Sequence, residues 1–445
     1  MKLIFQLGTN NWQTDEEPAP GSGILHESQH NILNSIEGVQ SYSIFPSSKQ
    51  SSIRDDYRVF KLDHPIPICE SSSPVSSYRW HSMSEQQFTL YRKRLEDEVY
   101  EYMDEVERKL GQSFTLAIAH HCFLNPLVLG SVMNRREMAG KPRVPICAYL
   151  HGTALRMFLH ELEGNNLEEY PLRFHKLVTN ERVFSDLQKG VSVCVVASAA
   201  LPPLIKTVFP DFPQDRVLLS TPGVDENIFC PRKVTLKQVL TSLGKPLWPE
   251  KGNPMDNFSR AIVFVGKLTE QKRADALLLA VQQYEKQFPD VCTLIVGGGP
   301  ETYLRELTEL AENLHLKSVY FVGPRSQDVL AKLFTVSDLG VFPSFEEAFG
   351  MVFIECMVCG CPVIGAKSGG PVTYVTEDVG VLVPEPGLNE VRQLSQYLEE
   401  WIVRALKENW KEIKREKCIE LVKNNFTAAA LTDEMLQQLI HLTAN

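Results

Sequence analysis

Apolar runs of strand length alternate with stretches of helical periodicity along the second half of the chain. Runs at 261–265 and 292–296 are followed by helical patterns at 274–288 and 301–314. The alternation continues through 319–322, 327–335, 339–342, 351–358 and 362–364. Such a repeat predicts a doubly wound parallel sheet, whose strands are apolar on both faces because helices cover both sides. The first half alternates less regularly, with strands predicted at 3–7, 116–119, 146–150 and 193–197, and is read as a second α/β domain of the same class. Between these strands, 86–110 reads as a long amphipathic helix. Its charges Arg92, Arg94, Glu96, Glu98, Glu105 and Glu107 alternate in sign, the pattern of a solvated face. Two stretches break the periodicity. Serine-rich 41–77, with four prolines, is read as irregular loop, and 233–257, with Gly244, Pro246, Pro249, Gly252 and Pro254, as a linker or surface excursion. The predicted divisions are 1–222, a linker over 223–258, 259–420, and a C-terminal helix over 421–445 with the option of crossing back to the first domain.

Length and charge sharpen this picture. A chain of 445 residues suits two cores of about 200 residues each better than one. The net charge of −10 argues against nucleic acid as a partner and against a protein held on an anionic membrane by its overall charge. No apolar run reaches the roughly 18–20 residues that span a bilayer, and Leu3-Ile4-Phe5 behind Lys2 is too short for a signal-peptide core. No transmembrane segment is therefore expected, the expected location is the cytoplasm, and peripheral membrane contact stays open. The ten cysteines are spread without the density of a disulfide framework. Cys356, Cys359 and Cys361 contain a CxxC, but no second Cys or His pair lies at a partner spacing, so packing is favoured over a metal.

Ligands of open parallel sheets bind beyond the carboxyl ends of the strands, which directs attention to the loops there. After 261–265 comes Gly266-Lys267-Leu268-Thr269-Glu270-Gln271-Lys272-Arg273, a glycine turn with two lysines five residues apart. Cations beside the free amides of a helix start suit a diphosphate, although alone the segment also reads as a solvated basic turn. After 339–342 comes Pro343-Ser344-Phe345-Glu346-Glu347-Ala348-Phe349-Gly350-Met351-Val352-Phe353-Ile354-Glu355. Gly350 permits close backbone approach, and a helix starting there aims unpaired amides at a phosphate. Glu347 precedes that helix and Glu355 lies about two turns inside it, on the order of 8–12 Å away at ~1.5 Å rise per residue. That separation brackets a nucleotide sugar and is too long for a proton-sharing pair. Glu355, set among Phe353, Ile354 and Met357, requires a partner, and ribose hydroxyls fit that need. His120-His121 and His151-Gly152-Thr153 follow first-half strands, where a lone histidine is usually structural.

Glu347 and Glu355, separated by seven residues, resemble the donor-site signature of the retaining GT-B glycosyltransferases of the family 4 type (glycosyl transferases group 1). Gly266, Lys267 and Lys272 are similar to that family's phosphate loop. Thr221-Pro222-Gly223-Val224-Asp225 with Phe229 and Pro231 resembles its interdomain segment. Gly360-Cys361-Pro362-Val363-Ile364 and Gly369-Gly370-Pro371 resemble the strand and glycine turn after the second glutamate. The resemblance is strongest over 217–387. In the first half Pro20-Gly21-Ser22-Gly23 resembles the glycine loop that approaches the donor phosphates.

The resemblance implies two Rossmann-like domains facing each other across a cleft, with the acceptor bound by 1–222 and the nucleotide sugar by 259–420. It implies catalytic roles for Glu347, Lys272, Lys267 and His151, the histidine lying beside the reacting sugar. Donor contacts are assigned to Gly21, Ser22, Gly23, Gly266, Phe349, Gly350, Met351, Val352, Glu355 and Arg325. His120 or His121 would line the acceptor side. The implied reaction moves a sugar from a nucleoside-diphosphate sugar, UDP-linked before GDP-linked, to a small-molecule, glycan or lipid-linked acceptor with retention. No cofactor beyond that co-substrate is expected, and no Asp-x-Asp motif signals a metal. Rival readings are a sugar phosphorylase or synthase on the same fold and a silent nucleotide-binding scaffold. Acceptor choice is expected from 9–19, 41–77 and 157–182, where His160, Glu161, Arg173 and His175 are polar candidates.

Overall fold

Two parallel sheets, each belonging to its own unit of the chain, organise the protein; one unit comprises Met1–Pro222 with Ala428–Asn445 and the other Gly223–Thr427. The computed structural model describes residues 1–12, 21–47, 54–61, 66–68, 77–79, 84–122, 124–151, 155, 178–249 and 257–444.

In the first unit the order is β1 (Lys2–Leu7), α1 (Gly21–Ser35), β2 (Val39–Ser47), β3 (Tyr57–Lys61), β4 (Ile66–Ile68), β5 (Ser77–Arg79), α2 (Glu85–Leu110), β6 (Leu116–His120), α3 (Asn125–Met138), β7 (Ile146–Leu150), β8 (Val191–Val196), α4 (Pro202–Val208) and β9 (Val217–Leu219). The main sheet runs β3-β2-β1-β6-β7-β8-β9, all parallel. Residues 41–77 are thus not one irregular loop: β2 and β3 extend the sheet, and β4 pairs with β5. Serine misled here, because Ser41 and Ser43 are buried and answer polar side chains inside the unit. Helix α2 starts with a capping box between Ser84 and Gln87 and ends at Gly111, whose φ of 64° suits glycine. Its apolar face from Phe88 to Val106 is buried. Its charges are more committed than a solvated face implies. Glu107 is nearly buried and takes both Nη groups of the buried Arg136 at 2.8 and 3.0 Å, tying α2 to α3, while Arg58 reaches Glu98 and Glu105.

The second unit contains α5 (Leu236–Ser242), β10 (Arg260–Val265), α6 (Ala274–Tyr284), β11 (Val291–Val296), α7 (Glu301–Asn313), β12 (Val319–Gly323), α8 (Gln327–Val336), β13 (Leu339–Phe342), α9 (Met351–Val358), β14 (Val363–Ala366), β15 (Gly380–Val383), α10 (Val391–Lys407) and α11 (Trp410–Asn425). The sheet order is β12-β11-β10-β13-β14-β15, all parallel. The stretch 233–257 is not simply a linker. Thr235 and Gln238 form a capping box for α5, and Val239, Leu240 and Leu243 join the core. Leu247 N–H donates to the carbonyl of Phe321 at the sheet edge. Proline and glycine hid a seven-residue helix too short to show periodicity. Cys356, Cys359 and Cys361 are fully buried in the same core as Cys418. Val224 N–H donates to Phe426 O, so the chain's entry to this unit and its exit run side by side. The last helix, α12 (Ala428–Ala444), belongs to the first unit, where Met435, Leu436 and Leu439 pack with Ile4, Leu33 and Val195.

Candidate functional site

Sheet order fixes where ligand chemistry can occur in the second unit. The chain leaves β10 toward β11 and β12, then returns to place β13 on the other side of β10, so strand direction of travel reverses between β10 and β13. Helices leave on opposite faces at such a point, and a crevice opens beyond the strand ends. The loops after these two strands carry Gly266–Arg273 and Pro343–Gly350. They meet there: Lys272 Nζ lies 2.5 Å from Glu347 Oε2, and Phe345 N–H donates to Gln271 O at 2.8 Å. The side chains of Lys272 and Glu347 are 28% and 13% exposed, so the pair is shielded yet reachable. Lys267 sits half-buried on the same turn. The lysine segment does not lead straight into a helix. Glu270–Lys272 form a 3₁₀ turn, Arg273 adopts a φ of 50°, and α6 begins at Ala274.

Glycines set the backbone of this crevice. Gly350 caps α9 with a φ of 88°, and the first amides of that helix have no side-chain cap. Gly369, φ 71°, leaves no room for a side chain, since a Cβ there would lie 1.8 Å from the Glu347 carbonyl oxygen, while Gly370 N–H donates to that same oxygen at 2.8 Å. Gly369→Ala is therefore expected to destabilise the unit by about 1–3 kcal/mol through backbone strain and displacement of the Glu347 loop. A thermal melt within a degree of the parent would contradict this. Behind the lysine turn lies a glycine triplet the sequence reading did not single out. Cβ atoms on Gly297 and Gly299 would lie 1.8 and 2.1 Å from the carbonyl oxygens of Gly266 and Leu268. A glycine run directly after a strand was the available signal.

Glu355 lies half-buried on α9, and among the described residues none donates a hydrogen bond to it. Burial pushes its carboxyl up to about 7.

The first unit repeats the topology, reversing between β1 and β6, and again polar groups gather at the strand ends. Gly8 follows β1, where a Cβ would lie 2.5 Å from His26 Nδ1. Asn125 Nδ2 donates to Leu7 O, Thr9 Oγ1 and His120 O, tying both strand ends together. The donor roles can be followed atom by atom. Trp12 Nε1–H is only a donor, so His26 Nδ1 accepts at 3.0 Å and His26 Nε2–H faces Ser43 Oγ at 3.2 Å. Ser43 then donates to His30 Nδ1 at 2.8 Å, and His30 Nε2–H to Asp56 at 3.2 Å. In parallel, Gln6 Nε2 donates to Ser41, leaving Gln6 Oε1 to accept from His120 Nε2–H at 3.2 Å. His120 Nδ1 accepts from His151 Nε2–H at 3.2 Å. With Nε2 as the donor, the lone pair of the neutral His151 ring lies on Nδ1.

Burial holds His26, His120 and His151 well below the usual 6.5, with neighbouring histidines adding to the shift. They are expected to remain neutral Nε2–H tautomers at pH 6.5, which ¹⁵N imidazole spectra report directly; an imidazolium signal from any of them at that pH would contradict the arrangement. Because the folded values lie below the unfolded value, the unfolded chain binds more protons in between. Their contribution to stability is complete above 6.5 and is lost as pH falls below it toward the folded values.

Several expected contacts are placed differently. Gly21, Ser22 and Gly23 are not a glycine loop but the first turn of α1, with Ser22 Oγ accepting from Asn10 Nδ2 and open space around Gly21. The close backbone approach in this region is that of Gly8 to the His26 ring. Phe349 is buried against Tyr374 and Phe426, so its ring is core and only its backbone is available to a donor. Met351 and Val352 are half-buried at the start of α9. Arg325 follows the edge strand β12 and spends Nη2 on Leu243 O at 3.0 Å. His120 and His121 are both buried; His120 is the one bonded to His151, while the His121 ring lies 4.3 Å from that of His151. Gly152, Thr153, His160, Glu161, Arg173, His175 and the stretch 13–20 lie outside the described residues.

Residues 250–420 match the family model described as "Glycosyl transferases group 1". A D-inositol 3-phosphate glycosyltransferase of Salinispora tropica is 36% identical over 179 residues, covering 38% of this chain and 36% of the relative. One from Salinispora arenicola is 34% identical over 202 residues, 43% of each chain. The chain thus spans well under half the length of these curated relatives. Among solved structures, sucrose-phosphate synthase from Thermosynechococcus elongatus superposes with a TM-score of 0.68 at 20% identity, covering 100% of both chains. Anabaena Alr3699/HepE, solved in complex with UDP and glucose, gives 0.65 at 17% identity over 99% of both chains. These likenesses establish the fold over the whole chain, while the family model bears on the unit that holds Lys272, Glu347 and Glu355. Residues 250–420 thus match the glycosyl transferases group 1 model, and the chain as a whole has the GT-B fold of these solved structures.

Proposed function

We propose that the protein is a glycosyltransferase using a nucleoside-diphosphate sugar, UDP-linked in the first instance and GDP-linked as the alternative, with retention at the anomeric carbon. The observation that carries this reading is the meeting of Lys272 and Glu347 at the point where the second sheet reverses, with the carboxyl of Glu355 on the adjoining helix. The division of labour follows from charge. Lys267, Lys272 and the first amides of α9 stabilise negative charge that develops on the departing diphosphate, an effect of several kcal/mol where groups are preorganised. Glu355 accepts from the ribose hydroxyls, and Glu347 holds Lys272 in place until the anion arrives and then faces the sugar. No metal enters this scheme, because fixed cations and helix amides supply the positive field. In the first unit, neutral histidines with assigned tautomers suit hydrogen bonds to hydroxyls of a sugar or acceptor.

The test is a thermal-shift screen against UDP-, GDP- and ADP-linked hexoses, followed by product analysis with an acceptor panel. A donor at 100 times its dissociation constant stabilises the fold by ~2.7 kcal/mol. Failure of all of them to shift the melt at millimolar concentration would overturn the reading. Sugar 1-phosphate formed on addition of inorganic phosphate would redirect it to a phosphorylase. Binding without transfer would redirect it to a scaffold.

A further inference from the structure

The residue after Lys272 is unusual in both backbone and side chain. Arg273 has a φ of 50°, a region that disfavours side chains other than glycine, and it is fully buried. Each of its three guanidinium nitrogens is bonded within the unit. Nε donates to Pro343 O at 2.7 Å, Nη1 to Glu385 Oε1 at 2.8 Å and to Gly387 O at 3.3 Å, and Nη2 to Glu385 Oε2 at 2.5 Å. The guanidinium carbon also lies 5.6 Å from the centroid of the Phe345 ring. Glu385 is fixed in turn, since its Oε1 accepts from Gly387 N–H at 2.9 Å.

These bonds join three loops that leave the sheet separately. Arg273 closes the loop after β10, Pro343 opens the loop after β13, and Glu385 lies in the loop after β15. A bidentate arginine–carboxylate pair fixes angle as well as distance, so one buried plane sets how the first two loops meet. On each side of it stands one half of the Lys272–Glu347 pair: Lys272 is the residue before Arg273, and Glu347 lies four residues beyond Pro343. The backbone bond from Phe345 to Gln271 lies between them.

We propose that Arg273, locked by Glu385, is a positioning residue that sets Lys272 and Glu347 for a nucleoside diphosphate. This rests on the donor-site reading above. Glycine at 273 would suit the backbone better, so what arginine provides is the tie between the loops and not the turn itself.

The experiment compares the parent protein with the double variant Arg273→Gly, Glu385→Gln, which relieves the backbone and strands no buried charge, and with Arg273→Lys. Lysine keeps the charge but lacks the planar fork that bonds Pro343 and Glu385 together. Calorimetry with UDP, GDP and ADP measures affinity, and hydrogen exchange follows the segment 343–350 against the amides of β10 and β11. Both variants are expected to bind the parent's preferred diphosphate about 10- to 100-fold more weakly. Exchange should quicken in 343–350 and stay unchanged in the two strands. A lower melting temperature with unchanged affinity and unchanged local exchange would reduce Arg273 to a purely structural role and overturn the proposal. If the parent binds none of the three diphosphates, the nucleotide reading fails, while the exchange comparison still decides whether Arg273 couples the loops.

Discussion

Lys272→Ala is expected to lower the rate of sugar transfer by about 10²- to 10³-fold, the usual loss when one preorganised group is removed from developing charge. The fold should be unaffected. Lys272 lies on the 3₁₀ turn after β10, and its side chain is more than a quarter exposed. Glu347, 13% exposed, keeps some contact with water when Lys272 is removed, so the loss costs less there than at the Arg136–Glu107 pair, whose side chains are 0% and 9% exposed. If Lys272 acts as proposed, the effect should appear in the chemical step more than in donor affinity, because a phosphate bonded to the lysine would carry more charge as the glycosidic bond breaks. Glu347→Gln is a necessary companion. It removes the counter-charge on Lys272 without creating a cavity, and if Glu347 also contacts the sugar, turnover falls while affinity for the bare diphosphate holds or rises. Single-turnover kinetics with a cognate donor separates the two steps. Lys272→Ala turnover within threefold of the parent would remove Lys272 from the mechanism.

The regions that could be read from the sequence are those where burial leaves a simple pattern. β10, β11 and β13 are almost wholly apolar because helices cover both sheet faces, and the loops carrying Lys267, Lys272 and Glu347 follow from locating the strand ends. What stayed hidden depends on partners distant in sequence. Ser41 and Ser43 resemble loop residues until Gln6, His26 and His30 are placed beside them. Glu385 has no local signal, since its meaning comes from an arginine 112 positions earlier. Phe349 was assigned to the donor because it lies inside the glutamate motif, yet aromatic residues beside a site are as often its wall, and Tyr374 bonds the Phe349 and Gly350 carbonyls to hold that wall. Gly21-Ser22-Gly23 misled for a related reason. Small residues favour a flexible loop by composition, but at the start of a helix they serve as well, and only the neighbouring Asn10 decides.

In its proposed role, Glu355 is expected to connect affinity and stability through a single proton, with opposite signs. In the unliganded protein, burial raises its carboxyl to about 7, so a substantial fraction is protonated at pH 6.5. Ribose hydroxyls donate hydrogen bonds, and the ionised form is the better acceptor. Donor binding should therefore release this proton, and affinity should rise as pH increases toward 8, by at most about tenfold per unit below the unliganded value. The diphosphate itself also titrates near 6, so the measurement requires Glu355→Gln, which keeps the phosphate contribution and removes the glutamate's. Calorimetry in buffers of different ionisation enthalpy would show the released proton in the parent alone. Glu355→Ala, losing two charge-assisted hydrogen bonds, is expected to weaken donor binding by about 10²-fold at pH 8. Stability moves the other way. A value raised from 4.5 to about 7 means the folded chain holds a proton that the unfolded chain releases; the stabilising contribution is complete below 4.5 and lost as pH rises through 7. Glu355→Gln should consequently raise the melting temperature more at pH 8 than at pH 5 while weakening the donor complex. Parallel losses of stability and affinity at pH 8 would show that the carboxylate already has a partner in the free protein, and would remove the ribose from its role.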